Sequence, residues 1–445
     1  MEFLIKASQL IMSLSILVIL HELGHFLPAK LFKTRVEKFY LFFDPWFSLV
    51  KKKIGDTEYG IGWLPLGGYV KISGMIDESM DKGQMEKAPE NWEFRAKPAW
   101  QRLIIMLGGV TVNLLLGVFI YSMTLYVYGD KYLPNENLGD GVWCVSDMAT
   151  ELGFENGDKF IAADGEKIDR FLDVLERVIV SKVITIERDG VNMDIIMPAD
   201  VIDRFLKNGG ETLFYPRIPT VISEVTAGSN AELAGLKTKD VIVGINDVSV
   251  LYFDEFKSEL EKHKGGTVNL LVKRGEEEVL LSAKVDAGGK IGFARKNFSL
   301  KQLEDGGLYS LASYNYNFFN SFPAGYNKSV KKLSSYIDQF VLILSPGTGA
   351  YKGMGGFGSI GSLFPATWNW EMFWNLTAFL SLMLAFMNIL PIPALDGGHV
   401  MFLLYEIVFG KAAPEKVMEY AQVVGMVILL SLLIFANGND ILRLF

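Results

Sequence analysis

The five residues His21-Glu22-Leu23-Gly24-His25 carry the strongest chemistry in the chain. On a helix, positions i and i+4 share one face, so both imidazoles can hold one metal ion while the neighbouring carboxylate reaches its bound water. Zinc held this way lowers the pKa of that water toward ~7, and an adjacent glutamate can take its proton as general base. Two histidines leave zinc short of a third protein ligand. The chain has four histidines in all; His263 stands between Lys262 and Lys264 and reads as a surface residue, and His399 follows a second motif. That motif is Asn388-Ile-Leu-Pro391-Ile-Pro393-Ala-Leu-Asp396-Gly-Gly. Pro391 and Pro393 cannot continue a helix, and a broken helix at membrane depth is tolerated only where it lines protein or water. Asp396 follows that break and is the carboxylate placed to share the depth of His21 and His25, so it is expected as the third zinc ligand. The structural alternatives are a hydrogen-bonded histidine pair in a helix bundle and an aspartate snorkelling from a helix end.

These residues sit in or beside long apolar runs. The 445-residue chain is 50% apolar and 13% aromatic but only 21% charged. A spanning helix needs ~20 largely apolar residues, and segments 8–27, 103–129, 372–395 and 420–439 meet that requirement. The last three hold no Asp, Glu, Lys or Arg. Ionisable groups inside a span are expensive and mark function, which sharpens the reading of His21, Glu22 and His25. The first run is not read as a signal peptide, because it lacks a small-residue cleavage site. Lys30, Lys33, Arg35 and Lys38 after the first run, with Lys97 and Arg102 before the second, place the loop between them in the cytosol. Both termini and residues 130–371 then lie outside. A single cysteine, Cys144, excludes a disulfide scaffold, and a net charge of −8 disfavours a nucleic-acid partner.

The middle of the chain repeats itself after roughly 80 residues. Glu151-Leu-Gly-Phe, Gly157-Asp158-Lys-Phe-Ile and Asp164-Gly165 correspond to Glu232-Leu-Ala-Gly-Leu, Lys239-Asp240-Val-Ile-Val and Asn246-Asp247. Each copy reads as a short helix, a turn, an apolar strand, an amphipathic helix and a hairpin. The pattern resembles bacterial PDZ domains, which bind peptides by adding a strand to a sheet edge; structural spacers are the other reading. Farther on, Tyr314, Tyr316, Phe318, Phe319 and Phe322 suit an amphipathic helix at the membrane interface, and a solvent-side core helix fits nearly as well.

Together, the H-E-x-x-H of the first span and the N-x-x-P-x-P-x-L-D-G of the third resemble the site-2 proteases, in the branch of the bacterial regulator-of-sigma-E protease. The resemblance implies a multi-span α-helical membrane protein with four transmembrane helices, a re-entrant β-hairpin and two inserted α+β PDZ-like domains. Its parts would be residues 1–129, with a hairpin at about 57–74; 130–212 and 213–294 for the two PDZ-like domains; a linker with interfacial amphipathic helices at 295–371; and 372–445. It implies zinc on His21, His25 and Asp396, with Glu22 as catalytic base and Asn113 as an active-site helper. Read from its own surroundings, Asn113 in Gly109-x-x-x-Asn113 is more often a packing residue between helices. Gly67, Gly68, Tyr69 and Val70 in the hairpin, with Asn388, Pro391 and Pro393, would hold an unwound substrate; an ordinary cytosolic hairpin is the alternative.

The implied activity is hydrolysis of a peptide bond within single-span proteins of the bacterial cytoplasmic membrane. The expected substrates are anti-sigma factors already trimmed outside, and remnant signal peptides. The outward PDZ pair would bind peptide or act as a size filter. Two competing expectations are an inactive membrane-anchored PDZ scaffold and an anchored zinc protease acting on soluble misfolded chains. The run Gly356-Phe357-Gly358-Ser359-Ile360 lacks the proline common at that place in the family and is given no role.

Overall fold

Long uncharged runs can satisfy their backbone without water only as helices, and that dictates the membrane-embedded architecture. The protein is described from a computed structural model covering residues 1–65, 67–75, 88–296, 298 and 300–442. Its contacts divide it into two units, one of residues 1–129, 315–344 and 351–445, the other of residues 130–314 and 345–350.

The first unit contains helices α1 (Glu2–Leu31), α2 (Ala99–Tyr128), α3 (Phe318–Leu344), α4 (Phe357–Ser362), α5 (Trp370–Ile389), α6 (Asp396–Phe409) and α7 (Glu415–Leu442). Among the described residues four of these, α1, α2, α5 and α7, are long and apolar enough to cross a membrane. The third stops at Ile389, short of the expected 395. Pro391 disfavours helical backbone at the residue before it, and Leu390 turns out to ψ 142°. A separate helix, α6, then starts at Asp396 where only a loop was expected. Its first-turn carboxylate complements the partial positive charge of a helix N-terminus.

Residues expected as a single hairpin belong to a larger sheet. Strands β1 (Val36–Leu41), β2 (Phe43–Ile54), β3 (Thr57–Leu64) and β4 (Tyr69–Ile72) lie in the order β2-β3-β1-β4. The hairpin is β2–β3, whereas β3 and β4, the strands of the 57–74 segment, flank β1 instead of each other. β4 is therefore an edge strand. On β2, at the other edge, Trp46 is 91% exposed, and Phe47, Leu49 and Val50 are also exposed.

The aromatic segment becomes α3, a helix packed along α2 and α5. Gly325 abuts Ser122, the Lys328 ammonium donates to Asn375 Oδ1 at 3.0 Å, and the Tyr336 hydroxyl donates to the Phe379 carbonyl at 3.0 Å. Tyr314 lies outside it, in a strand (Ala312–Tyr314) that pairs with Asp130–Tyr132 in the second unit. That unit thus runs past the expected boundary at 294.

The second unit holds two like-built halves. One sheet joins Lys159–Ala163, Glu166–Lys167, Val183–Arg188 and Val191–Ile196; the other is centred on Thr220–Val225, Val241–Ile245, Thr267–Arg274 and Glu277–Lys284. Each half contains the same buried lock. Asp158 accepts two hydrogen bonds from Arg188 and one from the Glu155 amide, while Arg188 also donates to the Gly153 carbonyl. Asp240 does the same with Arg274 and the Lys237 amide, and Arg274 with the Gly235 carbonyl. The strand Phe214–Pro216, just past the expected division at 212, pairs back onto Val142–Cys144 in the first half. Burial pushes the Cys144 thiol up to about 12, so it is not a nucleophile.

Burial works to raise the Asp240 carboxyl, but the hydrogen bonds and charge of Arg274 outweigh it and hold the group below its ordinary value. The stability this contributes is present above pH ~4 and is lost as pH falls through the folded-state value. Asp240→Ala should destabilise the second half by about 2–4 kcal/mol, because Arg274 is left without its partner. Denaturant unfolding followed by limited proteolysis at pH 7 would measure this, and a change below 0.5 kcal/mol, within the usual range of neutral surface substitutions, would contradict it.

Candidate active site

The site begins at the crossing of α1 and α2. Gly24 faces Gly108 and Gly109 across the two helices, close enough that a methyl group on any of the three would overlap the opposing backbone or the His21 and His25 rings. This contact is as close as two helix backbones come, and it brings polar side chains of α1 within reach of α2. His25 is 5% exposed, and its Nδ1 donates to the Ile105 carbonyl at 2.8 Å. A carbonyl only accepts, so the proton is on Nδ1 and the Nε2 lone pair faces inward.

Three acceptor atoms meet at that point. His21 Nε2 and His25 Nε2 are 3.3 Å apart, and Asp396 Oδ2 lies 3.4 Å and 3.3 Å from them. A tetrahedral zinc with ~2.0–2.1 Å bonds spaces its ligands ~3.3–3.4 Å apart, so the donor set and its size both fit the ion. Asp396 Oδ2 is buried with no hydrogen-bond partner among the described residues, as an atom reserved for a cation would be. Among the described residues this is the single group of three or more His, Cys, Asp or Glu side chains suited to a metal.

Asn113 is fully buried, with its amide 3.2 Å from His21 Nδ1 and its Oδ1 otherwise unpartnered. A half-turn of the amide, which exchanges oxygen and nitrogen, lets Oδ1 accept from His21 Nδ1–H. That tautomer frees His21 Nε2 for metal and satisfies the orphaned oxygen at once. The Asn113 backbone is itself held from α5, where the Ser381 hydroxyl donates to its carbonyl at 2.7 Å.

Glu22 lies beside the metal group and under β4. It receives a hydrogen bond from the Val70 amide, and Gly68 approaches its side chain. A cavity of about 860 Å³ opens over these groups, and Gly67, Gly68, Tyr69, Val70, Asn113 and Asn388 all line it. Tyr69 is already engaged there: its hydroxyl donates to Asp44 Oδ1 at 2.8 Å and its ring stacks on Tyr40. Pro391 and Pro393 are not on the wall. Pro391 is exposed, and Pro393 packs against Gly425 of α7, so their part is to break the helix and seat the loop before Asp396. Gly397 and Gly398 let that loop fold back over the first turn of α6, where side chains would collide with residues 389–393.

The sequence profile of peptidase family M50 matches residues 9–432. The chain belongs to peptidase family M50, the site-2 proteases. It is similar to the regulator of sigma E protease of Haemophilus influenzae, 27% identical over 100% of both chains. It is similar also to the regulator of sigma-E protease RseP of Escherichia coli, 26% identical over 100% of both. This M50 peptidase is a metalloprotease, and zinc is its cofactor.

The M50 site contains residues that sequence reasoning missed. Gln422 on α7 is 6% exposed and lines the cavity, as do His399 and Phe357. A lone amide inside an apolar run was the available signal for Gln422. Phe357 belongs to the segment that was given no role. That segment is held by α7: Asp440 Oδ2 accepts from the Gly356 and Ser359 amides at 3.0 Å each, and Asn437 Oδ1 from the Phe357 amide at 3.3 Å.

Gly109→Ala should force the α1–α2 crossing apart at the two histidines and cut zinc retention by at least about ten-fold, the range seen when ligand support is lost. Elemental analysis of the purified protein reads this directly. Full zinc in a variant of unchanged helicity would show that the ligands do not depend on the close crossing.

Proposed function

We propose that this zinc intramembrane protease cuts single-span proteins of the bacterial cytoplasmic membrane, with His21, His25 and Asp396 holding zinc and Glu22 as the catalytic base. The observation that carries the reading is the convergence of three zinc-spaced acceptors beside Glu22, in a cavity bordered by a strand edge. When bound, zinc supplies a Lewis acid that polarises a carbonyl and acidifies water. Glu22 takes the proton of the attacking water and returns it to the leaving amine nitrogen. The Val70 amide keeps its carboxylate aimed during both transfers. Asn113 and the Ile105 carbonyl orient the two imidazoles, which makes Asn113 a positioning residue.

A peptide bond inside a helix is shielded, so a spanning substrate must be unwound before attack. The edge of β4 at Gly67–Val70 offers backbone pairing to an extended segment, and Asn388 and Gln422 offer amides across the cavity. The basic residues Lys30, Lys33, Arg35, Lys97 and Arg102 support a cytosolic position for the sheet-bearing loop and an outer one for the two-half unit. There the halves serve as PDZ-like domains that admit substrates already trimmed. The names of the two regulator-of-sigma-E relatives support anti-sigma-factor-like substrates.

With a reporter carrying one spanning helix, Glu22→Gln should lower cleavage by ~10²–10⁴-fold while zinc content is unchanged. Asp396→Asn should lose zinc together with activity. A Glu22→Gln enzyme that still cuts would remove the base assignment, and equal cleavage of casein would move the substrate out of the membrane. Deleting residues 140–290 should allow cleavage of substrates with intact external domains. Unchanged discrimination in that deletion would leave the two halves without a filtering role.

A further inference from the structure

A second cavity, of about 400 Å³, opens at the C-terminal end of α1 and shares no lining residue with the zinc site. Its walls are Lys30, Lys33, Thr34, Arg35, Asp56 and Trp92. Two polar atoms of this wall, Thr34 Oγ1 and Arg35 Nε, are buried with no hydrogen-bond partner among the described residues, and Thr34 is 2% exposed. Buried donors are almost always paired, so two orphans in one pocket point to a ligand.

The surrounding structure holds these groups in place without using them up. The Arg35 amide donates to the Trp92 carbonyl at 2.9 Å, and its guanidinium stacks 5.1 Å from the centre of the Trp92 ring. The carbonyls at the end of α1 are already taken by backbone: the Phe32 amide donates to Pro28 at 2.9 Å, Lys33 to Lys30 at 3.0 Å and Thr34 to Ala29 at 2.8 Å. The lysines are therefore not needed to cap the helix. Lys30 spends one donor on Thr57 Oγ1 at 2.9 Å. Three cations face one carboxylate, Asp56.

A fixed guanidinium, a hydroxyl and two ammonium groups form the donor set that phosphate oxygens select. The location fits a lipid phosphate too. Phe32, at the end of α1, packs edge-to-face against Trp100 of the first turn of α2, and Trp100 is 53% exposed. Exposed tryptophans at the ends of spanning helices mark headgroup depth.

We propose that this cavity binds a phosphate group, with Arg35 and Thr34 as inner donors and Lys30 and Lys33 at the rim. Its source is the headgroup of an anionic lipid or inorganic phosphate. The test uses the full-length zinc-loaded protein in neutral detergent. Native mass spectrometry compares retention of phosphatidylglycerol with phosphatidylcholine, and thermal unfolding compares inorganic phosphate with chloride at equal ionic strength. Wild type should retain phosphatidylglycerol preferentially, and Thr34→Val and Arg35→Gln should each reduce that retention about five-fold, the scale of one cation at a lipid surface, with zinc content unchanged. A phosphate-dependent rise in Tm that Arg35→Gln abolishes assigns the site to free phosphate; a response of the lipid adduct alone assigns it to the headgroup. Either outcome supports the site. Lipid retention and phosphate response that both match wild type in correctly folded Thr34→Val and Arg35→Gln overturn it. Lys33→Gln, on the exposed rim, gives the same reading should the buried variants fail to fold.

Discussion

The close crossing of α1 and α2 at Gly24, Gly108 and Gly109 is the constraint on which the rest of the site depends. A spanning helix pair gains little from hydrophobicity, since lipid tails are as apolar as the partner helix, and close backbone packing supplies the attraction instead. Here the same packing serves chemistry. It brings Ile105 and Asn113 of α2 against the two imidazoles of α1, so each ring has its second nitrogen engaged before a metal arrives. Side chains at the crossing would separate the ligands from the groups that orient them.

The cost of placing ionisable groups at membrane depth accounts for much of the remaining architecture. The groups at this depth are supported from different elements: the Asn113 carbonyl by Ser381 of α5 and Glu22 by the Val70 amide of β4, while His21 and His25 of α1 and Asp396 of α6 bring three acceptors to one point. Strand β4 is the most economical member of this set. One of its amides donates to the Glu22 carboxylate, and the strand stands at the edge of its sheet and lines the cavity.

The second unit solves a different problem by repetition. Its halves share a buried Asp–Arg pair tied to a Gly carbonyl and a turn amide, Asp158–Arg188 in one and Asp240–Arg274 in the other. Such a pair is costly unless its carboxylate is well hydrogen-bonded, and in both halves the buried aspartate accepts from the arginine twice and from a turn amide. The first half holds the same lock as the second.

The histidine motif, the apolar runs, the proline break before Asp396 and the repeat were legible in the sequence because each is a local, one-dimensional signal. Charge, hydropathy and i, i+4 spacing need no knowledge of what packs against them. Other features depend on residues far apart in the chain and were decided by the tertiary structure. The order β2-β3-β1-β4, which frees the edge of β4, follows from long-range strand pairing that the expected hairpin at 57–74 did not contain. The role of Asn113 turned on whether its neighbour across α1 was a histidine or an aliphatic side chain, which spacing alone leaves open. Pro391 and Pro393 were read correctly as helix breakers, but that Pro393 packs against Gly425 and Pro391 is exposed depended on where α7 packs. The orphaned atoms at Thr34 and Arg35 became visible only once the fold had buried them side by side.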